Sequence, residues 1–151
     1  NKVIYNFKNT LDWRWNWKNI YINNYLISHK VTNTYVLRFP NWNFKSELYF
    51  ESSFFDNDII AKLGVQSDFF TEYKAMSYMP SLGQLHLQND ILIGNYPFIT
   101  FFIEAKIQTA TINLQLRNLS DFLIDDTYYI LSNHPHPPMA IEFGIKWLME
   151  G

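Results

Sequence analysis

Cysteine is missing from the sequence altogether, which removes disulfides and thiolate metal sites from consideration. Glycine is scarce, at five residues, and charge is nearly balanced: 12 basic against 14 acidic side chains give a formal net charge of -2 and a pI near 6.1. Such a chain is poorly matched to nucleic acid or to an anionic membrane surface. No apolar run approaches the roughly 18–20 residues of a spanning helix, so helical membrane insertion is excluded. The opening NKVIYNFKNT has no initiator Met, charged n-region or apolar h-region, and reads as a piece of something longer. What is abundant is aromatic: 13 Phe, 10 Tyr and 5 Trp, 28 of 151 residues. That composition favours pleated strands and surfaces where rings meet both oil and water.

The clearest pattern lies between Asn95 and Asn118. Ile99, Phe101, Ile103, Ala105 and Ile107 are apolar at odd positions, with Thr100, Glu104, Lys106 and Gln108 polar between them; Phe102 is the exception. After Gln108 and Thr109 the phase flips, so that Ala110, Ile112, Leu114 and Leu116 alternate with Thr111, Asn113, Gln115 and Arg117. Period-2 alternation marks a strand with two different faces, and a phase flip is what a hairpin with an even-numbered loop requires. A loop at Gln108-Thr109 pairs Ile107 with Ala110, Ala105 with Ile112, Ile103 with Leu114 and Phe101 with Leu116, placing every apolar side chain on one face. Without an Asn-Gly or Asp-Gly pair, a four-residue loop is equally allowed.

A second hairpin follows the same logic. Phe44, Leu48, Phe50 and Phe54 precede the turn signal FDND, and Ile59, Leu63, Val65 and Phe69 follow it. Pairing Phe54 with Ile59, Phe50 with Leu63, Leu48 with Val65 and Phe44 with Phe69 uses only apolar residues. It also sets Glu51 opposite Lys62 and Lys45 opposite Asp68, two opposite-charge rungs that served no part in choosing the register.

Elsewhere the pattern is looser. Trp13, Trp15 and Trp17 alternate with polar residues, but the phase slips near Asn19; one long strand from about Arg14 to His29 is expected, with a bulge or break there and a shorter strand before it. Residues 30–43, 74–96 and 119–138 read as long connections. The third ends NHPHPP, which neither a helix nor a ladder is expected to absorb. Met139 to Met149 alternates throughout. The fold class is therefore all-β, an antiparallel meander of about six to seven strands, fewer than the roughly eight of the smallest transmembrane barrels.

Two homes exist for one greasy face: a soluble sandwich or barrel, where it lines the core, or a bilayer. Short turns at 55–58 and 108–109 alternate with three long connections, the asymmetry of outer-membrane barrels. The strands run about 9 to 11 residues, the length that crosses hydrocarbon when tilted. Charges on the opposite face suit a water-filled lumen. The alternative is a soluble or surface β-sandwich or barrel binding carbohydrate or lipid through its rings.

From Leu63 onward the sequence resembles the C-terminal portion of the Bacteroidetes putative porin family. The residues that carry it are LGVQSDFFTEYKAMSYMPSLGQLHLQN (63–89), IGNYPFITFFIEAKI (93–107), HPHPPM (134–139) and FGIKW (143–147), roughly the last 90 residues, with the first 60 alike only in style. The resemblance implies a large barrel in the outer membrane of a Gram-negative cell and no catalytic residues. The chain departs from the expected terminal aromatic by ending WLMEG. As the C-terminal part of such a transmembrane barrel, it would pass small polar solutes by passive diffusion. Lumen-facing candidates are Glu104, Lys106, Thr111, Asn113, Gln115, Arg117, Glu142 and Lys146. Lipid-facing candidates are Ile99, Phe101, Ile103, Ile112, Leu114, Ile141, Phe143, Ile145 and Trp147. Its partners would be outer-membrane lipid, the barrel assembly machinery reading the closing strand, and the solutes themselves; the oligomeric state is open.

No cofactor or metal is expected. His134 and His136 lack a clear third ligand, although Asp125 and Asp126 share their loop, and the intervening Pro135 restricts convergence. No sequence motif pairs a nucleophile with a base. Trp13, Trp15, Trp17 and Trp42 could stack sugars, but same-face tryptophans on a strand more often form an interfacial girdle; Tyr73, Tyr78, Tyr128 and Tyr129 read as girdle or loop-core residues.

Overall fold

The alternating segments resolve into one antiparallel meander. The computed structural model describes residues 3–124, 129–131 and 134–149. In chain order its elements are β1 (Asn6–Trp17), β2 (Ile20–Val31), β3 (Trp42–Phe54), β4 (Ile59–Phe70), β5 (Ser77–Met79), β6 (Gln84–His86), β7 (Phe98–Ile107), β8 (Ala110–Arg117), α1 (Ser120–Leu123), β9 (Tyr129–Leu131), β10 (His134–Pro135) and β11 (Ala140–Trp147). Seven of them form one sheet in the order β1-β2-β3-β4-β7-β8-β11, and β5–β6 and β9–β10 are separate small hairpins. The large sheet is open, with β1 and β11 each paired on one side.

Both hairpins read from alternation have the expected register. All four apolar rungs of β7–β8 form, and Ile107 opposite Ala110 selects the two-residue loop, with Gln108 in left-handed backbone (φ 48°). In β3–β4 the four apolar rungs form together with both charged ones; Lys45 Nζ lies 2.9 Å from Asp68 Oδ1, and Lys62 Nζ lies 3.5 Å from Glu51 Oε2.

The strand expected from Arg14 to His29 does not exist. Residues 6–31 are instead a hairpin with Trp17 opposite Ile20 and a two-residue turn at Lys18-Asn19. The slip of phase was the flip of a hairpin, the same arithmetic as at 107–110. Lys18 takes the left-handed conformation (φ 52°), and Asn19 ties the turn to the next strand: its Nδ2 donates to the Glu51 carbonyl at 2.7 Å and its carbonyl accepts from the Glu51 N–H at 2.8 Å. Two smaller corrections concern the third long connection and the last strand. Part of NHPHPP does enter a ladder, because His134–Pro135 pairs with Tyr129–Leu131 across a register shift. The last strand stops at Trp147, and the Leu148 N–H turns to the Thr109 carbonyl at 3.0 Å.

Apolar burial is found away from the sheet. Among the described residues the buried hydrophobic side chains are Ala75, Ile93 and Tyr96, all in the connection between β4 and β7. Gln88 organises that segment: its Nε2 donates to the carbonyls of Ala75 and Ile91, and its Oε1 accepts from the N–H groups of Asp90 and Ile91, all within 2.9 Å. Arg38, from the connection before β3, donates to the Lys74 and Gln88 carbonyls and to Asn89 Oδ1. The third connection is anchored by Asn118, which accepts from the Tyr96 hydroxyl and donates to the Pro137 carbonyl, and by Ser120, which bonds the Pro97 carbonyl and the Ile99 N–H. The long connections are therefore packed against one another at one end of the sheet, opposite its three short turns.

Candidate functional site: the charged face of the sheet

Because paired residues of antiparallel strands project to the same side, the registers fix the composition of each face. One face carries the rungs Trp17–Ile20–Phe50–Leu63–Ile103–Leu114–Phe143 and Trp15–Ile22–Leu48–Val65–Phe101–Leu116–Ile141, apolar across all seven strands. The other carries every charged side chain of those strands except Lys30, at the end of β2.

Burial runs against the usual sense. On β7 the polar-face Thr100 is 8% exposed, whereas Ile103 on the apolar face is 40% exposed. At the edge Phe143 and Trp147 each reach 66%. A sheet folding in water would do the reverse, at roughly 25 cal/mol for each Å² of apolar surface. Polar residues do interrupt the apolar face, the longest row being Asn24, Ser46 and Ser67. Ser46 Oγ donates to Asn24 Oδ1 at 2.9 Å, and Trp13, paired with Asn24, reaches the ring of Phe44 at 6.2 Å. Asn24 is thus satisfied, and it is buried (9%).

The charged face is an ordered network. Lys62 sits between Glu51 (3.5 Å) and Glu104 (3.8 Å) across three strands. Arg117 Nη1 meets Glu142 Oε1 at 2.9 Å, and Asn23 Nδ2 donates to Glu47 Oε2 at 2.9 Å. These side chains are partly exposed, so each pair contributes little to stability.

All eight residues predicted on the polar side share this face, in the rungs Lys106–Thr111–Lys146, Glu104–Asn113–Gly144 and Phe102–Gln115–Glu142, with Arg117 opposite Ala140. All nine predicted on the apolar side share the other. Trp13, Trp15, Trp17 and Trp42 are exposed on the apolar face. Alternation alone does not place the contribution of β1 and β2, namely Asp12, Arg14, Tyr21, Asn23 and Tyr25, because the sequence on either side of Lys18-Asn19 reads as one strand. Position parity recovers them once the turn at 18–19 is recognised. Of the loop residues, Tyr73 packs edge-on against Phe70 at 5.9 Å, and burial raises its phenol above the ordinary 10.0. His136 lies against Phe98, ring centroids 4.4 Å apart. Asp125, Asp126 and Tyr128 lie outside the described residues, as does the side chain of His134. Among the described residues no three His, Cys, Asp or Glu side chains converge as a metal site would require.

A family model described as a putative porin matches residues 1–149. The chain belongs to the putative porin family. The match covers β1 to β4 as fully as the later strands, further than the resemblance from Leu63 onward had suggested. No curated protein and no solved structure matches the chain. Within this porin-family sheet the strands form a wall: apolar and exposed on one side, charged and hydrogen-bonded on the other.

Proposed function

We propose that this chain forms part of an outer-membrane β-barrel of porin type in a Gram-negative cell, through which small polar solutes diffuse passively. The observation that carries the reading is the inverted burial, an apolar face left open across seven strands while every strand charge but one sits on the opposite side. Dimensions support it. From Phe44 to Phe54 the apolar side of β3 extends ten residue steps, about 33 Å along the strand at roughly 3.3 Å per step. At the tilt of about 40° usual in such barrels this projects to about 25 Å, the height of their apolar band.

On this reading Ile99, Phe101, Ile103, Ile112, Leu114, Ile141, Phe143, Ile145 and Trp147 meet lipid, and Glu104, Lys106, Thr111, Asn113, Gln115, Arg117, Glu142 and Lys146 line the lumen. The turns at 18–19, 55–58 and 108–109 face the periplasm and the interlocked long connections face outward. The open edges of β1 and β11 cannot remain unpaired in hydrocarbon, so further strands complete the barrel. The protein acts as a channel rather than an enzyme. The soluble alternative requires a second layer over the apolar face, and among the described residues none covers it. The test is reconstitution of the full-length protein into planar bilayers. Stepwise ion conductance is expected; a protein that inserts yet never conducts, or that fractionates as soluble, would overturn the proposal.

A further inference from the structure

Across β1 to β7 most of the charges on the polar face have a polar partner. Arg14 Nη2 lies 3.5 Å from Asp12 Oδ2, Lys45 pairs with Asp68, Glu47 accepts from Asn23, and Lys62 bridges Glu51 and Glu104. A surface neutralised in this way presents donors and acceptors together and little net field to favour an ion of either sign. On the β1–β4 half of this face the side chains border an open, shallow recess of about 450 Å³, walled by Asp12, Arg14, Asn23, Tyr25, Lys45 and Glu47.

One step along the strands from that recess, the charged face changes character. Tyr21, Tyr49, Gly64 and Phe102 occupy a single rung across β2, β3, β4 and β7. Tyr21 and Tyr49 stack with centroids 4.9 Å apart and planes 10° from parallel, and Lys62 Nζ lies 5.5 Å from the Tyr49 ring. Gly64 is where the rings need space: a Cβ there would come within 2.7 Å of Phe102 Cζ and 2.6 Å of Tyr49 Cβ. Phe102 therefore lays its ring over β4. The rung spans three inter-strand steps, about 14 Å.

We propose that the recess and the adjoining aromatic rung together form a saccharide site, and that uncharged oligosaccharides are the solutes this wall favours. A sugar ring has an apolar face of C–H groups and a rim of hydroxyls that donate and accept equally. Aromatic rings suit the first, and a balanced set of polar groups the second. An anionic solute would meet Asp12 and Glu47; a cationic one would meet Arg14 and Lys45. As a statement about transported solute the inference rests on the porin reading; as a statement about binding to this face it does not.

The test titrates the detergent-purified full-length protein with maltohexaose and, in parallel, with the zwitterionic peptide trialanine, by calorimetry, while planar-bilayer conductance is recorded separately. Saturable binding of maltohexaose but not trialanine is expected. Tyr21→Ala and Tyr49→Ala should each weaken it by about tenfold, and Tyr49→Phe, which keeps the ring, should stay within about twofold. Heat-dependent gel mobility confirms that each variant is folded. Absence of maltohexaose binding, preference for trialanine, or unchanged affinity in both alanine variants overturns the saccharide site, whether or not the protein conducts. Binding without conductance leaves the site standing and removes the pore.

Discussion

An arginine placed at either of two successive residues of β7 tests the assignment of the two faces. Ile103 lies in an apolar rung between Leu63 and Leu114 and is two-fifths exposed. It stands four residues above Ile107, the last residue of the strand, hence about 13 Å along an apolar band of about 33 Å, near its middle. Arginine at that depth on a lipid-facing strand costs about 2–4 kcal/mol. Its neighbour Glu104 projects to the other side. Glu104→Arg gives up the 3.8 Å contact with Lys62, which keeps Glu51 at 3.5 Å. With both partners about one-third exposed, screening holds both the lost contact and the repulsion between the new arginine and Lys62 to about 1 kcal/mol each. The assay is urea unfolding of the full-length protein in lipid vesicles, with the outer-membrane fraction scored in cells. Ile103→Arg should lower the unfolding midpoint and the membrane yield clearly more than Glu104→Arg. Equal losses, or the opposite order, would refute the placement of lipid against the apolar face.

Other consequences can be checked one at a time. Gly64→Ala drives a methyl group to 2.6 Å from the Leu48 carbonyl oxygen, a backbone atom, and should cost about 1–3 kcal/mol in the same unfolding assay. Adding Phe102→Ala should not relieve it, since the backbone clash remains. Gln88→Leu strips four hydrogen bonds from the 71–97 segment, so hydrogen exchange there should accelerate by about tenfold or more while the amides of β3 and β4 stay protected. Arg38→Ala should loosen the same segment less, because the Gln88 side-chain bonds survive. Burial raises the Tyr73 pKa, so the folded state holds that proton more tightly than the unfolded one. The stability it contributes is complete below its unfolded pKa and falls as pH rises through the folded one; a near-ultraviolet circular dichroism change beginning above about pH 10 is expected, reduced in Tyr73→Phe.

What the sequence disclosed followed from what was periodic. The β3–β4 hairpin was legible because an apolar alternation, the FDND turn and two opposite-charge rungs agree on one register. The β7–β8 hairpin was legible from its phase flip alone. The same flip at Lys18-Asn19 was misread, because neither residue announces a turn as glycine does and Ile20 and Ile22 continue an apolar run; the stabilising bonds come from Asn19 reaching Glu51, 32 residues away. The loop core was illegible for a different reason. Gln88, Arg38, Asn118 and Ser120 act through side-chain bonds to distant backbone, which leave no period to detect. On the polar face, the lumen candidates after residue 98 were placed by parity, whereas the aromatic rung depended on Gly64, whose meaning appears only when Tyr49 and Phe102 flank it.

The meander also sets a rule of parity. β1 runs from the side of the long connections toward the side of the short turns, and after six reversals β11 runs the same way. Brought together directly, these two edges would meet as parallel strands. Two copies standing upright side by side would create the same parallel seam twice, and inverting one copy would set its short turns beside the other copy's long connections, which the proposed membrane orientation forbids. A wall that is antiparallel all the way round therefore takes an odd number of strands between β11 and β1. In the proposed barrel, the circumference of the pore, and with it the largest solute that fits, would grow from this sheet only in steps of two strands.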